Sequence, residues 1–186
     1  KDVTEENLQS RIRGTLLMGL SNKVGSMVVT TGNKSEVSVG YSTLYGDMNG
    51  GYNPIKDIYK TEVYALSKWR NSSKSSICLG PSGEVIPISI IEKEPTAELR
   101  EDQKDQDSLP PYDKLDDILE CLIDYEMSIS EIVNRGHEKS LVKKIENLLY
   151  ISEYKRRQSA PGVKVSQKNF GRDRRYPITN LFRDKN

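Results

Sequence analysis

The chain is 186 residues long, with a formal net charge of +1 and 30% charged residues. This length is enough for one domain with a sizeable core, and the near-neutral charge excludes a global attraction to nucleic acid or to a membrane surface. The two cysteines, Cys78 and Cys121, lie far apart without a CxxC pattern, which indicates a reducing compartment and argues against structural zinc. No apolar run approaches the roughly 18–20 residues of a membrane helix. These features predict a cytoplasmic location.

The first predicted elements are a helix and a short strand. Thr4 is a suitable N-cap, and the two glutamates that follow it stabilise the positive end of a helix dipole. These residues predict a helix over residues 5–21. Apolar residues recur along it at helical spacing: Leu8, Ile12, Leu16, Leu17 and Leu20. The β-branched run at residues 26–31 predicts a buried strand that ends at Gly32.

A polar loop follows this strand, in the position where α/β folds place ligand chemistry. It carries a hydroxyl, an ammonium, a carboxylate and two aromatic rings: Thr31, Lys34, Glu36, Tyr41 and Tyr45. The tyrosines could stack on a nucleotide ring or fill the core of the loop. The alternative for the whole stretch is an ordinary solvated connection between strand and helix.

Lys60 begins the next predicted helix, which extends to about residue 70 with Val63, Leu66 and Trp69 as its buried stripe. A cation at the positive end of a helix is unfavourable, which favours a functional role for this lysine. Residues 71–83 are rich in Ser and Gly and predict a surface loop. Residues 98–108 are charged and without periodicity, as in a flexible linker.

The last third is predicted to be helical. Five apolar positions mark one amphipathic helix: Leu115, Ile118, Leu119, Leu122 and Ile123. Ser128 and Glu131 form a capping box for a short second helix. A third helix is expected over residues 138–156. His137 lies at a helix junction and is given no catalytic role. Basic clusters at residues 155–157 and 172–175 indicate solvated faces or nucleic-acid contacts.

Seven motifs, in this order, resemble the synthetase domain of the glutamine-dependent NAD synthetases. They are ENLQSRIRG (6–14), TGNKSE (31–36), GYSTLYGD (40–47), KEPTAELR (93–100), DQDSLPPYD (105–113), EYKRRQ (153–158) and FGRDRRYPITN (170–180). Leu44 supports the glutamine-dependent branch, because the ammonia-dependent branch has a substrate-contacting lysine at this position. The SGGxDS loop that cradles pyrophosphate in this family is absent from the sequence, as is the amidase domain. The resemblance therefore implies the C-terminal portion of a longer protein.

The implied fold class is α/β: part of a Rossmann-like, adenine-nucleotide α-hydrolase-like (N-type ATP pyrophosphatase) domain with a helical C-terminal region. We expect residues 1–110 to form the later half of the synthetase domain. Residues 111–186 would form the helical region and basic tail. The family dimerises through its synthetase domains, with the first helix at a subunit interface, so a homo-oligomer is expected. The charged segment at residues 98–108 corresponds to a mobile loop near the active site.

The resemblance also implies roles for individual residues. Thr31, Lys60 and Thr96 are expected to bind ATP, and Arg11, Glu36, Tyr41 and Lys155 to bind deamido-NAD. Glu36 would in addition bind Mg²⁺. Arg13 is a weaker substrate candidate, and Asp47 is a second carboxylate whose role as a turn residue is favoured. No side-chain nucleophile is expected.

The implied reaction is ATP-dependent amidation of deamido-NAD to NAD through an acyl-adenylate, with ammonia from glutamine supplied by the amidase domain. Without the SGGxDS loop, the chain alone is expected to turn over poorly or not at all. One alternative is another adenylating amidotransferase, such as a GMP-synthetase-like enzyme. A second is a non-enzymatic nucleic-acid or interaction module built on the helical last third. Neutral charge and the lack of interleaved aromatic and basic residues argue against the second.

Overall fold

The computed structural model describes residues 2–73 and 77–183. Within these ranges the chain forms eight α-helices and one 3₁₀ turn at Asp105–Asp107. The helices are α1 (Val3–Val24), α2 (Lys34–Val39), α3 (Lys60–Ser72), α4 (Ile88–Glu92), α5 (Tyr112–Ile123), α6 (Ile129–Asn134), α7 (Lys139–Ile151) and α8 (Glu153–Arg156). None of them is long and apolar enough to cross a membrane. The predicted loop at 71–83 includes residues 74–76, which lie outside the described ranges.

The hydrophobic core is built from α2, α5, α6 and α7, which pack against one another. The predicted stripe of α5 is confirmed, since Leu115, Ile118, Leu119 and Ile123 are fully buried. Val142, Ile145 and Leu149 of α7 face them across the core. Burying one such side chain contributes about 1.5–3 kcal/mol, so these helices hold the chain together.

The predicted capping box of α6 is also confirmed. Ser128 Oγ accepts a hydrogen bond from the Glu131 backbone N–H at 3.3 Å, and the Glu131 carboxylate accepts one from the Ser128 N–H at 2.7 Å. Two of the N–H groups that lack helical partners are thereby satisfied.

Helix α1 is longer than predicted, and its N-cap is Asp2 rather than Thr4. The Asp2 carboxylate accepts from the Thr4 N–H, and the Glu5 carboxylate accepts from the Asp2 N–H at 2.7 Å. Its buried residues are Ser10 and Gly14, which lie against the loop around Gly46. The predicted apolar stripe is 52–69% exposed at Leu8, Ile12, Leu16, Leu17 and Leu20. This face of α1 is therefore not part of the core.

The predicted strand at residues 26–31 is wrong in extent. The structure has only an isolated parallel bridge between Val29 and Tyr52, flanked by hydrogen bonds from Thr30 N to Tyr52 O and from Gly51 N to Val28 O, each 2.9 Å. A strand requires continuous pairing with a neighbour, and residues 26–31 pair with the rest of the described chain at this bridge alone. Met27 and Val29 are accordingly 66% and 50% exposed.

Two helix predictions need correction. In α3, Leu66 and Trp69 are about half exposed rather than buried. The helix is anchored instead through its first turn, where the Thr61 N–H and hydroxyl donate to the Asp116 carboxylate at 2.9 and 2.8 Å.

The helix expected over 138–156 is divided at Ser152 into α7 and α8. At this break Ser152 packs directly against Gly40. A Cβ atom added to Gly40 would lie only 2.3 Å from Ser152 Oγ.

Candidate functional site

The loop before α2 fixes the position of Glu36. Asn33 is the N-cap of α2, and its side-chain oxygen accepts from the Glu36 N–H at 3.0 Å. In return, Glu36 Oε2 accepts from the Asn33 N–H at 3.3 Å. This capping box leaves Oε1 of Glu36 free to face α3.

Lys60, the first residue of α3, meets Glu36 across the gap between the two helices. Its Nζ lies 3.3 Å from Glu36 Oε1, and both side chains are about one-fifth exposed at 20% and 19%. Lys60 Nζ also lies 5.3 Å from the centre of the Tyr112 ring. Burial raises the pKa of Glu36, and the Lys60 charge opposes that rise. The pair is therefore a cation and a carboxylate held together in a partly dry position.

An open cleft of about 700 Å³ lies between α1, the loop at residues 40–49 and the segment at 97–108. Three of the residues with a predicted binding role line it, Thr31, Tyr41 and Lys155, as do the weaker candidates Arg13 and Asp47. A smaller cavity shares Tyr41 and Lys155 with the cleft and is also lined by Glu36. Glu36 therefore lies in a small cavity that adjoins the cleft, and Lys60 is connected to it through Glu36. The volume of the cleft is in the range of small-molecule and cofactor sites.

Lys155 lies in α8 and reaches back to the loop after α2. Its Nζ donates to the backbone carbonyls of Gly40 and Ser42 at 2.7 and 2.6 Å. Burial lowers the pKa of Lys155, while Asp47 partly offsets this effect. An ammonium with two carbonyl partners still has a third proton to donate.

Tyr41 is partly buried and packs against the hydrophobic core. Burial, followed by the Asp105 carboxylate, raises the pKa of Tyr41, so its hydroxyl remains protonated and can donate a hydrogen bond. Tyr45 is different, since it is 63% exposed and donates from its hydroxyl to Gln158 at 3.0 Å. Of the two aromatic rings noted in the sequence, Tyr41 is the one at the cleft.

Two other predicted residues lie outside the cleft lining. Arg11 is exposed on α1 and donates from Nε to the Leu44 carbonyl at 3.1 Å. Thr96 Oγ1 accepts from the Glu98 N–H at 3.1 Å, although its neighbour Ala97 does line the cleft. The geometry thus brings Thr31, Tyr41 and Lys155 to the cleft, with Glu36 in the adjoining cavity, and leaves Arg11 and Thr96 apart.

Two arginines without a strong sequence signal hold the segment at 98–108 against α1. Arg13 Nη2 donates to the Glu98 carbonyl at 2.6 Å, and Arg100 Nε lies 3.2 Å from Glu6 Oε1. Asp105 is buried in the same segment. The composition of this segment indicated a linker because charged residues are usually solvated. Here Arg100 pairs with Glu6 of α1 and Arg13 of α1 contacts the Glu98 backbone, and no local pattern reveals these contacts.

A magnesium ion would find one suitable protein ligand in this site. Within the described ranges, no group of three or more His, Cys, Asp or Glu side chains could hold a metal ion. Mg²⁺ is often bound by one or two carboxylates together with substrate phosphates, and Glu36 beside Lys60 fits that arrangement. Asp47 serves the turn instead, since its Oδ1 accepts from the Thr43 N–H at 2.7 Å and from Ser10 Oγ at 3.2 Å.

Comparison with solved structures confirms the fold class. The chain is similar to a glutamine-dependent NAD(+) synthetase from Cytophaga hutchinsonii, with 26% identity, a TM-score of 0.73, and coverage of 97% of this chain and 29% of that one. It is also similar to an NH3-dependent NAD synthetase from Campylobacter jejuni, with 27% identity, a TM-score of 0.55, and coverage of 86% and 54%.

Sequence comparison also finds NAD synthetases, at higher identity. A glutamine-dependent NAD(+) synthetase from Rhodobacter capsulatus is 58% identical over 184 residues, which are 99% of this chain and 33% of the relative. Its counterpart from Thermotoga maritima is 51% identical over 183 residues, 98% of this chain and 31% of the relative. The chain thus spans about a third of the length of these curated relatives. The sequence profile of the NAD synthase family matches residues 1–159, and the chain therefore belongs to that family.

Proposed function

We propose that this chain is part of an enzyme that amidates deamido-NAD to NAD, using ATP and ammonia released from glutamine. The observation that carries the proposal is Glu36, which is paired with Lys60 and lies in a cavity adjoining a cleft lined by Tyr41 and Lys155. A cation paired with a carboxylate suits a metal-bound triphosphate, and the cleft has room for a nucleotide. The glutamine-dependent relatives named above support the choice of substrates.

The chemistry requires activation of a carboxylate, which is a poor electrophile. Transfer of AMP to the nicotinate carboxylate would release pyrophosphate, and attack by ammonia would then expel AMP and form the amide. When bound, Mg²⁺ would neutralise charge on the departing pyrophosphate. Lys60 would hold the phosphates by charge, and Glu36 would supply one oxygen ligand to the metal. The protein's task is to position and neutralise charge, with no covalent bond to a side chain.

Residue roles follow the same scheme. We propose that Thr31, Lys60 and Thr96 bind ATP, and that Glu36, Tyr41, Arg11 and Lys155 bind deamido-NAD. Thr31, Tyr41 and Lys155 have the support of their place in the cleft lining. Arg11 and Thr96 rest on the family resemblance alone.

The next proposals concern the domains of the whole protein and its location. Because the chain covers only about a third of its relatives, we propose an amidase portion outside it. Residues 1–110 would then complete an ATP-binding domain, and residues 111–186 would add the helical region. A cytoplasmic location is proposed as well, since Cys78 and Cys121 are both free thiols, as is usual in reducing compartments.

The test is AMP release by the full-length product of the gene, with ATP, Mg²⁺ and glutamine, in the presence and absence of deamido-NAD. Release that depends on both glutamine and deamido-NAD is the expected result. Release with ammonia but not glutamine would remove the amidase part of the proposal. Release with xanthosine monophosphate in place of deamido-NAD would favour the GMP-synthetase-like alternative. Salt-dependent retention on DNA or RNA, without any AMP release, would favour a nucleic-acid-binding module.

We further propose that the protein is a homo-oligomer that buries the exposed stripe of α1. Leu8, Ile12, Leu16 and Leu20 follow one another at intervals of four residues and are each more than half exposed. A continuous apolar stripe of this kind marks an interaction surface. Association would bury any charge placed in this stripe, which costs free energy. Leu16→Asp is therefore expected to shift the protein towards monomer in sedimentation velocity.

The matched control is Asn22→Asp, which adds the same charge at an exposed polar position of the same helix. It is expected to leave the sedimentation coefficient unchanged. A wild-type protein that sediments as a monomer, or an unchanged oligomer in the Leu16→Asp variant, would contradict the proposed interface.

A further inference from the structure

Lys34 is a lysine whose side chain is completely buried, and its ammonium connects four separate parts of the chain. Its Nζ lies 3.3 Å from both carboxylate oxygens of Asp124, at the end of α5, and 3.6 Å from Oδ1 of Asp57. It donates to Ser166 Oγ in the C-terminal segment at 2.8 Å and lies 4.7 Å above the ring of Tyr59. As the first residue of α2, Lys34 stands where a helix disfavours a cation. The two carboxylates supply the compensation.

The partners of Lys34 are themselves tied to one another. The Tyr59 hydroxyl donates to Asp124 Oδ2 at 2.7 Å. Asp57 accepts from the backbone N–H groups of Val165 and Ser166, each at 2.7 Å. Removing the ammonium would therefore leave two neighbouring carboxylates facing each other without a cation, while the surrounding hydrogen bonds remained.

Two of the parts that Lys34 connects carry the proposed phosphate-binding pair. Glu36 lies two residues after Lys34 in the first turn of α2, and Lys60 directly follows Tyr59. The Lys60 N–H donates to Ser35 Oγ at 2.9 Å, which joins the two helix starts a second time. The Glu36–Lys60 contact of 3.3 Å thus lies between two helix starts whose neighbouring residues, Lys34 and Tyr59, meet at the Lys34 ammonium.

We propose that Lys34 is a positioning residue, which fixes the starts of α2 and α3 relative to each other and so fixes the Glu36–Lys60 pair. The proposal rests on the proposed function for its consequence in catalysis. It adds a residue that touches neither the cleft nor the pair. A purely structural role would instead make the whole fold, and not the geometry of the pair, depend on Lys34.

The test uses the full-length gene product with Lys34→Met, which keeps the length of the side chain and removes its charge. Misplacement of reacting groups by about 1 Å can cost about 100-fold in rate, so kcat/KM for ATP is expected to fall by up to this factor. A second variant, Lys34→Met with Asp124→Asn, removes one of the carboxylates left without a cation. The thermal midpoint of this double variant is expected to return towards that of the wild type. Its kcat/KM for ATP is expected to stay as low as that of Lys34→Met. Joint recovery of both quantities would overturn the positioning role.

Lys56→Met is the matched control, because Lys56 is also buried but has the Ala160 carbonyl as its partner at 2.8 Å. Its kcat/KM for ATP is expected to stay close to that of the wild type. A loss equal to that of Lys34→Met would mean that any buried lysine in this region has the same effect, and would overturn the proposal.

Amide hydrogen exchange separates failure of this inference from failure of the proposed function. If the wild-type protein releases no AMP with deamido-NAD, the proposed function is wrong, whatever Lys34 does. Exchange is still expected to accelerate at residues 34–39 and 60–64 in Lys34→Met and to remain unchanged there in Lys56→Met. Unchanged exchange at both helix starts in Lys34→Met would overturn the positioning role independently of catalysis.

Discussion

Replacing Lys60 by methionine is expected to lower AMP formation from ATP and deamido-NAD by about 100-fold or more, as observed when one preorganised charge-stabilising group is removed from an active site. The ammonium lies 3.3 Å from Glu36 in a partly buried position, where its charge is screened less than it would be at the surface. The measurement is kcat for AMP release by the full-length gene product at saturating ATP.

The same variant has an expected signature in pH dependence. Burial raises the pKa of Glu36, whereas Lys60 lowers it. Without Lys60 the larger of the opposing influences is lost and only the hydrogen bonds with Asn33 still oppose burial, so the pKa of Glu36 rises further and the carboxyl stays protonated to a higher pH. The acidic limb of the residual activity is therefore expected to move towards higher pH. Lys68→Met, at an exposed position of the same helix α3, is the control and is expected to change neither kcat nor this limb. Activity of Lys60→Met within twofold of the wild type would contradict the role proposed for the pair.

Leu119→Ala is expected to lower the free energy of unfolding of the chain by about 3 kcal/mol, within the 2–5 kcal/mol typical of buried leucines. Leu119 is fully buried at the centre of α5, in the core that also includes α2 and α7. The measurement is equilibrium denaturation in urea with an unchanged m-value. Leu122→Ala, on the same helix but only partly buried, is expected to cost clearly less. Equal losses for both variants would show that burial in α5 does not set the stability.

The helices that could be predicted are those whose signals are local. The Ser128–Glu131 box and the stripe of α5 depend on residues a few positions apart, and both are present as expected. The N-cap of α1 is Asp2 rather than Thr4, because aspartate is the better cap by type and the bond to Glu5 completes a capping box there. The break at Ser152 depends on the close approach of Gly40, more than a hundred residues away, and no local pattern encodes it.

The candidate site shows the same division. The TGNKSE, GYSTLYGD and EYKRRQ motifs contain Glu36, Tyr41 and Lys155, and the structure brings these three residues to one cavity. Residue types alone left the loop at 31–45 undecided between a ligand site and a solvated connection. The strand before it was overestimated, because β-branched residues favour a strand but cannot supply a partner. The contacts of Arg13 and Arg100 with the segment at 98–108 were not foreseen for a similar reason, since each pairs with a distant part of the chain.

The partners of Lys34 also bear on the order in which the chain folds during synthesis. Asp124 lies 90 residues after Lys34, and Ser166 lies 132 residues after it. At ordinary synthesis rates the ribosome needs on the order of ten seconds to add that many residues. Until then the ammonium at the start of α2 lacks the groups that make its burial tolerable, whereas α5, α6 and α7 already have their apolar contacts. A nascent chain stalled between residues 151 and 166 would therefore contain these three helices without the completed arrangement around Glu36 and Lys60.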